Sequence, residues 1–280
     1  MPIQTNTRNF LPNINIVEAM LAFRESELLR LTVDSYLKIA DKVIILFDNW
    51  DKETEDVVRT MARGDERIIV GYSTVPRSSW KDEETEGKMN ERFKKMEGEI
   101  RQQLLNLVKK EHEKKPIDIL LMSDGDEMFT NHFPKILEKF WKSRHKTLMT
   151  RYIQMIGDFN TFHNRPLCKH NRAFKYRHDL TANAMRGMLR LRPYTNEESM
   201  RGGYFTIHLA DFNKEYMDKR KTYKKRSFGE DVMVWRINKD IRDLSHEEYV
   251  HIAAKTAPHC CIQHLLFEMN RDYYQQHPGI

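Results

Sequence analysis

Apolar and polar positions divide the first 130 residues into a regular series of strands and helices. Ile16–Phe23 (IVEAMLAF) is an almost continuous apolar run of strand length. Glu25–Ala40 places apolar residues at Leu28, Leu29, Val33, Tyr36, Leu37 and Ala40, close to the helical period, and predicts a helix. Lys42–Phe47 (KVIILF) predicts a second buried strand, which the turn formers Asp48-Asn49-Trp50-Asp51 end. A short helix over Glu53–Ala62 and a third strand over Arg67–Tyr72 follow. Residues 73–87 are polar and irregular. From Lys88 to about Lys114, Phe93, Met96, Ile100, Leu104, Leu107 and Val108 predict a long charged helix, ended by Pro116. Ile117–Ser123 (IDILLMS) is the fourth predicted strand and delivers Asp124-Gly125-Asp126-Glu127 at its C-terminal end.

Strands alternating with helices imply βαβ units, so the predicted fold class is α/β with a mostly parallel sheet flanked by helices. Ligands of such sheets sit beyond the carboxyl ends of the strands. Asp48–Asp51 and Asp124–Glu127 both follow strands and fall on that edge. The second half is less regular. Thr147–Met155 and Tyr204–Leu209 read as strands, with Gly202-Gly203 as a turn before the latter. Glu230–Ile237, Glu247–Lys255 and part of Ile262 to Tyr274 read as helical. No internal repeat or low-complexity tract interrupts the chain.

The 280 residues suffice for one large α/β domain or two small ones. The expected organisation is one domain over 1–280, with a donor half (1–130), an acceptor half (131–236) and a C-terminal helical segment (237–280). No apolar run approaches the roughly 18 residues of a membrane span, and the opening MPIQTNTRNFLPNIN lacks a signal-peptide pattern. With three cysteines, two of them adjacent (Cys260 and Cys261), the expectation is a cytoplasmic protein in a reducing compartment. The net charge of +6 is uneven. Residues 160–192 hold eight Lys/Arg and one acid, and 214–226 hold seven Lys/Arg and two acids. This polarity suits a surface that meets a polyanion, and equally a solvated charged face with diphosphate-binding residues.

Asp124 and Asp126, two apart at a chain reversal, can converge on a hard cation such as Mg²⁺ or Mn²⁺, while Gly125 lets a ligand approach the backbone. The alternative is an ordinary acidic turn. The sequence resembles the family 2 type of inverting GT-A glycosyltransferases, well over the first 130 residues and loosely beyond. EAMLAFRESELLRLTVDSYLKIADKVIILFDN resembles the family's opening strand and helix, with Glu25 in the place of the acidic residue near the donor. ADKVIILFDNWDKETEDVV resembles its second strand and loop, which implies that Asp48 contacts the nucleotide's base or ribose. Trp50 stands where the family has Gly or Ser, and Arg24 where it has Asn. Asp124-Gly125-Asp126-Glu127 resembles the D-A-D-E metal motif, implying that Asp124 and Asp126 bind Mn²⁺ or Mg²⁺ with the diphosphate of a donor such as a UDP-sugar. Lys88 and Arg92 resemble positions that reach toward that diphosphate.

Gly229-Glu230-Asp231 followed by Arg236 resembles the family's G-x-E-D…R segment, which implies Asp231, or else Glu230, as the base that deprotonates the acceptor hydroxyl. Acids in the first turn of a helix are the other reading of this pair. His208 resembles the histidine that completes the metal site in relatives, and a histidine with an ordinary hydrogen bond is the alternative. His259-Cys260-Cys261-x-x-His264 has zinc-ligand residue types without the spacing of a closed zinc module. No P-loop or G-x-G-x-x-G occurs.

Phe162, His163, Phe174, Tyr176 and His178 are interleaved with the basic residues of 160–192, a pattern able to follow a phosphate backbone and stack on an unpaired base. In build, the chain resembles bacteriophage enzymes that glycosylate 5-hydroxymethyl pyrimidines in DNA, which implies a DNA acceptor and a host-cytoplasm setting. Two rival expectations are a bacterial surface glycan or lipopolysaccharide acceptor, and a catalytically inactive nucleic-acid-binding protein with a GT-A-like half.

Overall fold

The computed structural model describes residues 9–22, 26–47, 52–75, 86–156, 158–163, 169–185, 188–209, 234–236 and 238–256. The fold is α/β, with a mostly parallel sheet flanked by helices, and the chain forms two compact units. The first comprises Met1–Asp126, Arg144–Thr147 and Asn171–Ser199; the second comprises Glu127–Ser143, Leu148–His170 and Met200–Ile280.

The first unit contains the series predicted from periodicity: β1 (Ile16–Ala22), α1 (Ser26–Tyr36), β2 (Lys42–Phe47), α2 (Lys52–Gly64), β3 (Ile68–Tyr72), α3 (Glu86–Lys114) and β4 (Ile119–Asp124). The strands lie in the order β4-β1-β2-β3, all parallel. Every residue of β1 is buried, as a strand covered on both faces requires. One face packs on α3: Val17, Ala19 and Leu21 of β1 share a core with Ile100, Leu104 and Val108. Ile16, Met20 and Ala22, on the opposite face, are also buried. Bonds between residues distant in sequence fix the strand entries. Asp118 accepts from the Asn15 backbone N–H at 2.7 Å, and Asp41 from that of Ile16 at 2.8 Å. Residues 173–175 of β8 (Lys169–Lys175) pair antiparallel with β4. β9 (Thr181–Met185) and β10 (Met188–Arg192) form a separate hairpin.

The second unit is antiparallel. β5 (Glu127–Phe129) pairs with β11 (Ser199–His208), whose part in this unit begins at Met200; β6 (Thr147–Ile156), in this unit from Leu148, pairs with β7 (Asp158–His163); and β7 pairs with β12 (Val234–Arg236). The helices are α4 (Phe133–Lys142) and α5 (His246–Thr256). Phe133, Ile136, Leu137 and Phe140 give α4 an apolar face at helical spacing.

Two expectations are corrected. Gly202 and Gly203 form no turn; they lie inside β11. A Cβ at 202 would come within 2.9 Å of the Met149 carbonyl oxygen, and one at 203 within 2.2 Å of His246 Nδ1. Both glycines serve close approach within a strand. Residues 234–236 are strand rather than helix, because they complete the edge beside β7. Residues 230–233, and the segment expected to be helical from 262 to 274, lie outside the described residues.

Candidate metal and donor site

β4 carries the acidic motif to the C-terminal edge of the parallel sheet, and the turn that follows is tied to two elements. The Gly125 N–H donates to the Leu21 carbonyl at 2.8 Å. The buried Thr32 hydroxyl of α1 donates to the Gly125 carbonyl at 3.1 Å. Asp124 accepts from Arg101 Nη2 at 2.6 Å. Arg101, on α3, is only 5% exposed and also reaches Glu97 at 3.4 Å. The first carboxylate of the motif is thus engaged by a buried guanidinium.

β5 begins immediately after the turn. In its antiparallel register with β11, Glu127 stands directly opposite His208. Opposed residues of an antiparallel pair project from the same face, and ligand atoms of these two side chains come within 4.8 Å of each other. Asp126 is joined to Glu127 through the chain and is, by residue type, a third possible ligand. Two carboxylates and an imidazole suit a divalent cation, and the nitrogen favours Mn²⁺ over Mg²⁺, which keeps to oxygen.

Behind the pair, Tyr152 of β6 donates its hydroxyl to Glu127 Oε1 at 2.5 Å. Its ring lies 4.8 Å from that of His170 and 5.4 Å from that of His208. Two residues earlier on each strand, and therefore on the same faces, the buried hydroxyls of Thr150 and Thr206 bond at 2.6 Å. Glu127 is 1% exposed. A carboxylate offers about four lone-pair sites, so the bond from Tyr152 does not by itself exclude a cation.

Within the second unit Glu127 therefore stands opposite His208, Asp126 precedes Glu127 in the chain, and in the first unit Asp124 is held by Arg101. Glu25, Asp48, Glu230 and Asp231 lie outside the described residues, as does the His259–His264 segment. Lys88 and Arg92 belong to α3, but their side chains lie outside what is described. Glu127 stands in the Asp124-Gly125-Asp126-Glu127 motif without an expected role, and no sequence pattern points to Tyr152. Their signal is register: one residue of slip between β5 and β11 would separate Glu127 from His208. Arg101 could have been suspected from its place beside Ile100 in the apolar stripe of α3.

Among the described side chains of the basic and aromatic segment 160–192, several are buried rather than exposed. Phe174 is fully buried in the core of the first unit. Arg172, 2% exposed, donates to the Met122 carbonyl at 3.1 Å. Tyr176 is half-buried against His112, with ring centres 4.6 Å apart, and burial raises its phenol above the ordinary range. His178 is exposed. The side chains of Phe162 and His163 lie outside the described residues. Among the described residues, no helix is long and apolar enough to cross a membrane.

No family model and no curated protein matches the sequence. Among solved structures, the chain is similar to S. aureus TarS 1-349, at 10% identity and a TM-score of 0.39, over 93% of this chain and 74% of that one. It is similar to the mannosyltransferase PcManGT from Pyrobaculum calidifontis in complex with GDP-Man and Mn²⁺, at 10% identity and a TM-score of 0.40, over 95% and 70%. It is also similar to GalNAc-T7 with UDP, GalNAc and Mn²⁺, at 14% identity and a TM-score of 0.35, over 73% of this chain and 36% of that one.

Proposed function

We propose that this chain is a metal-dependent glycosyltransferase of the GT-A type, moving a sugar from a nucleotide-diphosphate donor to an acceptor hydroxyl. The observation that carries the reading is the pairing of Glu127 with His208 beside Asp126, directly after the strand that ends the parallel sheet. In this reading Asp126, Glu127 and His208 hold a divalent cation, Mn²⁺ before Mg²⁺. When bound, that cation offsets charge on the leaving diphosphate. Asp124 acts through its bond to Arg101 and keeps the turn in shape. Gly125 lets the diphosphate come close to the backbone.

The remaining roles rest on the family resemblance. Glu25 and Asp48 would contact the nucleoside, with UDP the first choice of nucleotide, and Lys88 and Arg92 would contact the diphosphate. Asp231, with Glu230 second, would accept the proton of the acceptor hydroxyl as its oxygen bonds to the anomeric carbon and the bond to the diphosphate oxygen breaks. This single displacement inverts the anomeric centre. The acceptor is proposed only as a hydroxyl, with 5-hydroxymethyl pyrimidine DNA one candidate. The burial of Phe174 and Arg172 removes part of the pattern that favoured DNA.

Incubation with UDP-sugars and Mn²⁺ is the test. Nucleoside diphosphate should be released with metal and not with chelator, and Asp126→Ala should abolish release. Normal release by that variant would overturn the proposal. A mass gain of one sugar on hydroxymethylcytosine-containing DNA would assign the acceptor, and transfer to a glycan alone would exclude DNA.

A further inference from the structure

A cavity of about 220 Å³ in the second unit is lined by α4, by Phe205 of β11 and by the start of α5. None of its residues belongs to the acidic site. One wall is cationic. His132, Lys135 and Lys139 line it at spacings of three and four, which puts them on one face of α4. Lys142 on the same helix pairs with Glu138 at 2.6 Å, whereas neither Lys135 nor Lys139 has a carboxylate partner among the described residues.

The facing wall is Ser245, His246 and Glu247. A capping box sets it in place: Glu248 Oε2 accepts from the Ser245 N–H at 2.8 Å, and Ser245 Oγ accepts from the Glu248 N–H at 3.1 Å. Burial acts against ionisation of Glu247, but bonds from its own N–H and from Ser245 hold its carboxyl below the ordinary range. Ile136, Phe205 and His246, each under 5% exposed, supply buried lining. His246 Nδ1 accepts the Tyr204 N–H at 3.2 Å, so the neutral ring carries its proton on Nε2 as a donor. The ring reaches this position only because residue 203 is glycine.

We propose that this cavity binds a monosaccharide carrying a phosphate monoester. The phosphate lies on the Lys135 and Lys139 wall, where two ammonium groups match a dianion. Glu247 accepts from sugar hydroxyls, and the apolar side of the ring lies toward Phe205. The facing carboxylate disfavours a bare polyanion, and the volume, below that of drug-sized sites, suits a single sugar ring. The proposal does not depend on the metal reading, because it uses none of the same residues.

Calorimetric titration of the full chain with glucose 6-phosphate, glucose and inorganic phosphate, at about 0.15 M salt, tests it. Glucose 6-phosphate should bind at least about tenfold tighter than glucose or phosphate, in line with added hydrogen bonds to charged groups. The double variant Lys135→Gln/Lys139→Gln should lose about tenfold or more, on the same grounds. Glu247→Gln should weaken the sugar phosphate and leave inorganic phosphate unchanged or tighter. Thermal unfolding of each variant reports whether the fold is retained. No saturable binding, equal affinity for phosphate and glucose 6-phosphate, or undiminished binding by a folded double variant would overturn the proposal.

Discussion

The Tyr152 hydroxyl donates to Glu127 Oε1 across 2.5 Å, in the interior of the second unit. With its ring beside those of His170 and His208, Tyr152 orients one proposed ligand and packs on another. Tyr152→Phe keeps the packing and removes the bond. It should weaken Mn²⁺ binding by about 10–100-fold, the usual effect of losing a partner behind a metal ligand. Metal-free stability should fall by about 1–3 kcal/mol. Mn²⁺ titration and urea unfolding measure the two effects, and unchanged affinity would leave Tyr152 a packing role alone.

Arg101 and Asp124 make a different prediction. Arg101 is buried, while the Asp124 side chain is 34% exposed. Removing one member of a fully buried pair costs about 3–5 kcal/mol. Partial solvation of Asp124 lowers the expected cost of Arg101→Met to about 2 kcal/mol. Asp124→Asn should reduce stability in urea while changing Mn²⁺ affinity less than Asp126→Asn does. The opposite order would assign Asp124, rather than Asp126, to the cation.

Gly203→Ala should destabilise the second unit. The added methyl would fall 2.2 Å from His246 Nδ1, so ring and strand must separate. Overpacking of this kind costs about 1–3 kcal/mol. The double variant Gly203→Ala/His246→Ala should recover part of the loss relative to the sum of the single changes, and a double-mutant cycle measures it.

Among the described residues, the same Asp-x-Arg clamp occurs in each unit. Arg67 bonds Asp65 through its backbone N–H and through Nε and Nη2, and Arg242 bonds Asp240 in the same way. In both, the arginine side chain is the main cause that holds the carboxyl below its ordinary value of 3.8. The stabilisation is complete above the unfolded-state value and is lost as pH falls through the lower folded-state value. Asp65→Asn and Asp240→Asn should each flatten the loss of stability below about pH 4. Urea unfolding at a series of acidic pH values measures it; unchanged slopes would mean that the clamps contribute nothing.

The first unit was legible because its elements carry their own periodicity. KVIILF gave β2 with its observed bounds, and Ile117–Ser123 led to Asp124 at the sheet edge. The second unit was less legible because its strands are defined by their partners. Val234–Arg236 has no strand pattern of its own and exists as an edge beside β7. Gly202-Gly203 looks like a turn until Met149 and His246 are seen to need the space. In the site, Asp126 and His208 could be named from residue type and resemblance. The placing of Glu127 opposite His208 depends on a three-residue strand, and no periodicity announces three residues.

The central claim is that Asp126, Glu127 and His208 hold one divalent cation. Titration of the full chain with Mn²⁺, followed by the electron paramagnetic resonance of the unbound ion, tests it most directly. One saturable site per chain is predicted, lost in Glu127→Gln and in His208→Ala variants that retain the folded circular dichroism spectrum. Saturable binding that survives both substitutions, or none in the unaltered chain, would contradict it.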